Sequence, residues 1–130
     1  GLGLSFDSQL TYTEGNDKSN HEPLRHVAPL FGMAAVEYQN NRISLEAFTE
    51  FNAKKPISDF SPSERNKPHL YTSEGTPAWA TLNLRTSYEL TEEITLNVSL
   101  ENIFDKHYRP YSSGISAPGR NAIVALRGQF

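Results

Sequence analysis

The sequence contains no cysteine, which excludes disulfide bonds and thiolate metal sites. It also lacks an uninterrupted run of about 18 apolar residues, which excludes a transmembrane helix. Basic residues are not in excess, because 12 Lys and Arg stand against 15 Asp and Glu and the net charge is -3. A surface that holds the phosphates of nucleic acid needs a basic patch, so nucleic-acid binding is not expected.

Sequence motifs for catalysis, nucleotide binding and metal binding are missing as well. No glycine-rich phosphate loop leads from a strand into a helix, and no nucleophile elbow is present. The histidines His21, His26, His69 and His107 do not have the spacing of a compact metal motif. We therefore expect a protein that is not an enzyme and that uses neither a metal site nor a cofactor.

Apolar residues recur at every second position in about six segments, which is the period of a β-strand. In the clearest segment, Ile94–Glu101, every even position is aliphatic and every odd position is polar. The other segments are about 2–12, 30–39, 42–52, 79–90 and 121–130. The sequence therefore predicts an all-β fold, an antiparallel meander of about six strands. Its apolar face is formed by even positions, except in the third segment, where odd positions are apolar.

The connections between the segments predict how the strands align. A two-residue turn at 40–41 would set Tyr38 opposite Ile43, and a three-residue turn at 91–93 would set Leu90 opposite Ile94. Each of these pairings joins apolar residues, so both turns keep the apolar faces of neighbouring strands together.

Short and long connections alternate along the chain. The long ones, about 13–29, 53–77 and 109–119, are rich in Gly, Pro, Ser and Asn. All short turns then fall at one end of the sheet and all long loops at the other, as in a transmembrane β-barrel of the outer membrane. Segments of about 9–11 residues also have the length of a tilted membrane-spanning strand.

The alternative is a soluble antiparallel β-domain that binds a carbohydrate or a protein partner. A residue set on the apolar face separates the two interpretations. In a barrel these side chains form an exposed apolar belt, whereas in a sandwich a second sheet of the same chain covers them. The residues are Leu82, Leu84, Leu96, Val98 and Leu100.

The end of the chain resembles a known family. Segment 98–108 is similar to the x-N-L-F-D-x-x-Y motif of TonB-dependent outer-membrane receptors, with isoleucine in place of the usual leucine. Residues 114–120 resemble that family's loop ending in P-G-R, and 123–130 resemble its last strand. Segments 22–32 and 75–85 resemble the beginnings of earlier strands of the same barrel. The motif residues are Asn102, Phe104, Asp105, Tyr108, Gly119 and Arg120.

The resemblance implies a barrel of roughly 22 strands with a plugged lumen. Residues 1–130 would be its C-terminal segment, without the plug domain. The intact receptor would lie in the bacterial outer membrane and take up a scarce small molecule, such as a ferric siderophore, haem, cobalamin or a glycan. Energy would come through TonB, which contacts the plug. The further partners implied are outer-membrane lipid and the barrel-assembly machinery, which would recognise Val124, Leu126 and Phe130 on the apolar face.

Two groups of residues outside the regular alternation have predicted roles. Asn102 and Asp105 interrupt the pattern after Glu101, and we expect a bulge that redirects the chain. Charged and aromatic residues of the long loops are candidates for contact with an anionic or aromatic ligand, since binding sites favour loops on a rigid scaffold. These candidates are Arg25, Arg65, His69, Tyr71, Arg109 and Tyr111.

Overall fold

The structure is a computed structural model that describes residues 3–130, so Leu2 of the first predicted segment lies outside the described residues. This part of the chain forms ten strands, one turn of α-helix and one turn of 3-10 helix. None of its helices is long and apolar enough to cross a membrane. The strands are β1 (Gly3–Thr11), β2 (Asn16–Asp17), β3 (Glu22–Pro23), β4 (Phe31–Gln39), β5 (Ile43–Asn52), β6 (Lys55–Pro56), β7 (Gly75–Thr76), β8 (Trp79–Glu89), β9 (Ile94–Glu101) and β10 (Asn121–Gly128). The 3-10 turn spans Ile57–Asp59, and the helix α1 spans Pro62–Arg65.

The six long strands form one antiparallel sheet in the order β1-β4-β5-β8-β9-β10. Each long strand therefore pairs with the next long strand along the chain. The four remaining strands form two short ladders, β2 with β3 and β6 with β7, within the long connections. The predicted all-β fold, an antiparallel meander of about six strands, is confirmed.

The strand register confirms the predicted apolar face. Rows of paired residues cross the sheet from β1 to β10. On the apolar face, even positions of β1, β4, β8, β9 and β10 share a row with odd positions of β5, as the alternation predicts. One complete row consists of Phe6, Val36, Ala47, Leu84, Leu100 and Ala122. Because side chains alternate between the two faces of a strand, all six residues lie on one face of the sheet.

One of the two predicted turn registers is right and the other is wrong. The backbone N–H of Leu90 donates to the carbonyl of Ile94 at 2.9 Å, as the three-residue turn requires. Tyr38, however, pairs with Leu45 and not with Ile43. The cause is the side chain of Asn40, whose Oδ1 accepts hydrogen bonds from the backbone N–H groups of residues 42 and 43 at 3.0 and 3.2 Å. This Asx turn moves the register by two residues, which leaves the faces unchanged.

The apolar face is bare. Leu4 is 76% exposed and Leu100 is 43% exposed, and Leu82, Leu84 and Val98 retain partial exposure in the middle of the sheet. Within residues 3–130 there is no second sheet that covers this face, because the other two ladders have only two residues per strand and lie in the loops. The arrangement expected of a soluble sandwich is therefore not found in the described part of the chain.

The opposite face is polar and carries most of the buried residues of the sheet. Ala35, Phe48, Thr81 and Asn83 are buried there. The guanidinium of Arg85 lies 4.2 Å from the ring centroid of Phe48. Its nitrogens lie 3.7 Å from a carboxylate oxygen of Glu46 and 3.9 Å from one of Glu101. This wall of the sheet is thus a network of polar side chains that suits a wet environment.

Two further features of the sheet matter for function. Its outer strands, β1 and β10, each have one edge that no strand in residues 3–130 pairs with. The tight turns at 40–42 and 90–93 lie at one end, and three long loops lie at the other. We name these loop 1 (12–30), loop 2 (53–78) and loop 3 (102–120).

Candidate functional site

Loop 2 has an ordered framework that positions its side chains over the end of the sheet. Strand β6 pairs with β7, and the tight turn that precedes β7 is closed by hydrogen bonds of 3.1 Å between the backbones of Thr72 and Gly75. Gly75 has a φ of +107°, a conformation that side chains strongly disfavour. The short helix α1 lies between β6 and β7 in the chain, with Pro62 at its start, where the missing N–H is not needed.

Gly75 provides a first prediction. A Cβ atom at this position would lie 2.0 Å from the carbonyl oxygen of Lys55, so Gly75→Ala must distort the ladder of β6 with β7. We expect a loss of about 1–3 kcal/mol of local stability, measured as faster proteolysis and faster hydrogen exchange in loop 2. The matched control is Gly114→Ala, because a Cβ there has its nearest contact at 3.6 Å. Equal behaviour of the two variants would contradict the prediction.

Lys55 is a buried cation that joins all three loops. From β6 in loop 2, its Nζ donates to the carbonyl of Val27 in loop 1 at 2.5 Å and to the hydroxyl of Tyr111 in loop 3 at 3.0 Å. The ammonium also lies 4.8 and 4.9 Å from the ring centroids of Phe60 and Tyr111, within range of cation–π attraction. Burial lowers the pKa of Lys55, and the negative charges of Glu64 and Asp59 oppose that change.

Glu64 is a carboxylate with no exposure to solvent. Its Oε1 accepts a hydrogen bond from the backbone N–H of His26 at 3.2 Å and lies 3.5 Å from both the His26 Nδ1 and the hydroxyl of Tyr71. Its Oε2 is buried without a hydrogen-bond partner among the described residues. Glu64 therefore holds loop 1 against loop 2 through a buried, only partly satisfied charge.

Aromatic rings complete the contact between loops 2 and 3. Tyr71 packs edge-on against Phe60 with centroids 4.6 Å apart and stacks with Tyr111 at 5.9 Å. The hydroxyl of Tyr71 lies 3.2 Å from the Oγ of Ser112. Burial and the nearby charge of Glu64 raise the pKa of Tyr111. Its hydroxyl therefore stays protonated at neutral pH, where it accepts the hydrogen bond from Lys55. We call the set of His26, Lys55, Glu64, Tyr71, Tyr111 and Ser112 the loop clamp.

A cleft of about 380 Å³ lies beside the loop clamp, between loops 2 and 3. Trp79 and Tyr108 form an aromatic pair in its wall, with ring centroids 4.2 Å apart. Burial and the charges of Glu50 and Glu101 raise the pKa of Tyr108, so this phenol is neutral at physiological pH. The basic side chains that line the cleft are the exposed Lys106, His107 and Arg109, and no Asp or Glu lines the cleft. This loop cleft favours a ligand that combines negative charge with a flat apolar part.

Unpartnered polar atoms also belong to the wall of the loop cleft. The indole Nε1 of Trp79 and the Oγ1 of Thr76 are buried without hydrogen-bond partners among the described residues. Buried donors normally have a partner, so these two mark a part of the wall where a polar group is lacking.

The six candidate ligand residues fall into different environments. Tyr71 and Arg109 line the loop cleft, and an Nη1 of Arg109 donates to the carbonyl of His69 at 2.9 Å. His69 is exposed and does not itself line the cleft. Tyr111 lies in the loop clamp, where its hydroxyl accepts a hydrogen bond from Lys55. The cleft therefore unites only part of the predicted set, and the ligand contacts of Tyr71 and Arg109 stay predictions.

The other two candidates lie elsewhere. The guanidinium of Arg65 donates to the carbonyls of Phe60 and Ser58 at 3.0 Å each, so it stabilises the turn around α1. Arg25 is exposed in loop 1 and does not line the loop cleft. Nothing in the geometry connects Arg25 or Arg65 with a common ligand.

The motif residues of loop 3 shape the chain where it leaves β9. Asn102 and Asp105 have positive φ angles of 50° and 53°. The Oδ1 of Asp105 accepts the backbone N–H of Arg120 at 2.8 Å, and a Cβ at Gly119 would meet the same oxygen at 2.7 Å. These contacts join the start and the end of loop 3. Phe104 is exposed and Tyr108 lies in the cleft wall.

The predicted assembly signal lies on strand β10 and just after it. Val124 and Leu126 lie on the apolar face of β10, and both they and Phe130 are exposed. Their recognition by an assembly machinery stays a prediction. No cluster of three or more His, Asp or Glu side chains that could hold a metal ion is found within residues 3–130.

Comparison with known proteins identifies the fold. No family model matches the chain, and a search among curated proteins also finds no match. Among solved structures, the chain is similar to one described as copper transporter OprC, with a TM-score of 0.79 and 19% sequence identity. The match covers 98% of this chain and 20% of that chain. The chain thus has the fold of a segment that makes up about a fifth of a larger transporter chain.

Proposed function

We propose that residues 1–130 are the C-terminal segment of the β-barrel of a TonB-dependent transporter in the bacterial outer membrane. The observation that carries this proposal is the two-faced sheet, with a bare apolar face and a polar face that holds the charged side chains of Glu46, Arg85 and Glu101. A transmembrane barrel needs this pattern, because one face meets lipid and the other a wet lumen. The fold likeness to a transporter supports the same assignment.

The open edges of β1 and β10 support a larger barrel. In lipid, unpaired backbone groups at a sheet edge are costly, so spanning strands form closed barrels. We propose that strands from the rest of the protein pair with both edges, and that a plug domain elsewhere in the chain contacts TonB. The apolar side chains of residues such as Leu4 and Val124 would then face lipid.

We propose that the loop cleft contributes to ligand binding. It lies at the end of the sheet with the long loops, which is the extracellular end in outer-membrane barrels. Its cationic and aromatic lining fits an anionic ligand with a flat apolar part, as in some ferric siderophores and haem, better than a neutral glycan. Copper, which the similar transporter carries by its name, would find His107 as the one imidazole in this lining.

A second prediction tests the ligand contact. In the full-length protein, Arg109→Ala should weaken binding of an anionic ligand such as haem by about tenfold, because a charge-assisted hydrogen bond is lost. Binding is measured on the purified protein by titration with haem and with ferric catecholate complexes. Arg25→Ala is the matched control, since that arginine lies outside the cleft.

The outcomes separate the candidate ligands. Equal affinity of the two variants for every probe would remove Arg109 from the proposed site. Tight binding of a neutral glycan that Arg109→Ala leaves unchanged would favour the glycan class. Uptake that persists in cells without TonB would contradict the proposed energy coupling.

A further inference from the structure

The polar contacts of the loop clamp form a closed circuit through three loops. Loop 2 reaches loop 1 through Glu64 and the backbone N–H of His26, and it reaches loop 3 through Tyr71 and Ser112. The Nδ1 of His26 lies 3.3 Å from the Oγ of Ser112, which closes the circuit between loops 1 and 3. Lys55 adds a second bridge from loop 2 to both neighbours.

The circuit holds two residues in an uncommon backbone conformation. His26 and Ser112 have φ angles of 59° and 63°, in the left-handed region that residues with a side chain rarely adopt. Both occur where loops 1 and 3 touch each other. Such strain persists where surrounding contacts impose it, and it is common at clamps and switch regions. The backbone of loops 1 and 3 is thus held by the same contacts that join the loops.

We propose that the loop clamp couples the three loops into one unit, with Glu64 and Lys55 as positioning residues for the loop cleft. Tyr71 and Ser112 belong both to the clamp and to the lining of the cleft. Release of Glu64 from His26 therefore frees loop 1 and also loosens two residues of the cleft wall. This inference rests on the contacts of the described residues and holds whatever the cleft binds.

Hydrogen exchange of the full-length protein in detergent micelles tests the coupling. Glu64→Ala should raise exchange about tenfold or more in loop 1 around His26 and in loop 3 around Ser112, because a buried hydrogen bond to a charged group is lost. Lys55→Met should have the same effect on Val27 and Tyr111. The distinguishing result is the spread to loop 3, since a purely local role of Glu64 would raise exchange only in loop 2 and at its direct partner His26.

The chain offers matched controls of the same residue types. Lys54 and Glu74 are exposed and lie 3.9 Å apart in a surface ion pair, which contributes little. Lys54→Met and Glu74→Ala should leave all three loops within about twofold of the parent exchange rates. If Glu64→Ala leaves loop 3 unchanged, or raises its exchange no more than Glu74→Ala does, the coupling is refuted.

A second variant keeps the test decisive if Glu64→Ala does not assemble into a barrel. Tyr71→Phe removes the hydroxyl that contacts Ser112 but keeps the ring that packs on Phe60. It should raise exchange several-fold in loop 3 and also in loop 1 around His26, because the same hydroxyl lies 3.5 Å from Glu64 and Ser112 contacts His26. An unchanged loop 1 in this variant overturns the proposal.

Discussion

Replacing Phe6 by arginine should prevent stable insertion of the barrel, whereas the same change at the adjacent Ser5 should be tolerated. Phe6 is 68% exposed on the apolar face of β1, and Ser5 lies on the polar face opposite Glu37. An arginine that faces the hydrocarbon near the middle of a bilayer costs about 2–4 kcal/mol. An arginine at position 5 instead gains an acidic neighbour across the strand pair.

The measurement is the free energy of unfolding of the full-length protein in lipid vesicles, followed by urea titration and by the heat-dependent mobility of the barrel on a gel. Phe6→Arg should lower this free energy by about 2–4 kcal/mol and reduce the amount of barrel in the outer membrane. Ser5→Arg should stay within about 0.5 kcal/mol of the parent. If both variants behave alike, or if Phe6→Arg yields a more soluble folded protein, the apolar face meets water and the membrane assignment fails.

The sheet was predictable because its faces follow from parity alone. A side chain points to one face or the other according to whether its position is odd or even, so Leu84 and Leu100 could be assigned before their pairing was known. The error at Tyr38 shows the limit of this reasoning. A shift of two residues preserves the faces, so hydrophobic pattern could not distinguish Ile43 from Leu45 as the partner. The choice depended on two hydrogen bonds of the Asn40 side chain.

The loop clamp could not be predicted from the sequence for a different reason. Its contacts join residues as far apart as His26 and Ser112, and the loops have no periodicity that would indicate which residues meet. Lys54 and Lys55 are adjacent and identical in type, yet one is exposed and the other buried. The charge on Glu64 gave no sign of burial, because acidic residues are rarely buried without a paired charge. The available signal was the presence of aromatic residues in polar loops, namely Phe60, Tyr71 and Tyr111, which pack together.

The turn after β9, where the sequence predicts a bulge, is held by a single side chain. Asn102 is buried, and its Nδ2 donates to the carbonyls of Lys106 and Pro118 at 2.9 and 3.2 Å. Its Oδ1 accepts the backbone N–H of Lys106 at 2.8 Å. Its own backbone N–H donates to the Oδ1 of Asn83, which fixes the turn to the polar face of β8. Asparagine also tolerates the positive φ of 50° better than most residues do.

Asn102→Ala should therefore be among the most damaging single substitutions in this chain. It removes three part-buried hydrogen bonds, leaves their backbone partners unsatisfied and places in a left-handed conformation an alanine, which tolerates it less well than asparagine does. We expect a loss of about 3 kcal/mol or more, measured as the free energy of unfolding in vesicles. Asn102→Gly should lose less, because glycine relieves the backbone strain but not the missing hydrogen bonds.

The difference in free energy of unfolding between Asn102→Ala and Asn102→Gly separates the contribution of the backbone conformation at position 102 from that of the side-chain hydrogen bonds. Asn121→Ala is the control, since its side chain makes one weak hydrogen bond of 3.3 Å at the surface, and it should change stability by less than about 0.5 kcal/mol. Hydrogen exchange should rise at Lys106 in Asn102→Ala, because its backbone N–H loses the Oδ1 of Asn102 as its acceptor. If alanine at 102 is as stable as asparagine, the side chain does not hold loop 3 and the bulge must form for another reason. If glycine restores full stability, backbone conformation alone accounts for the asparagine, and its hydrogen bonds contribute nothing net to the fold.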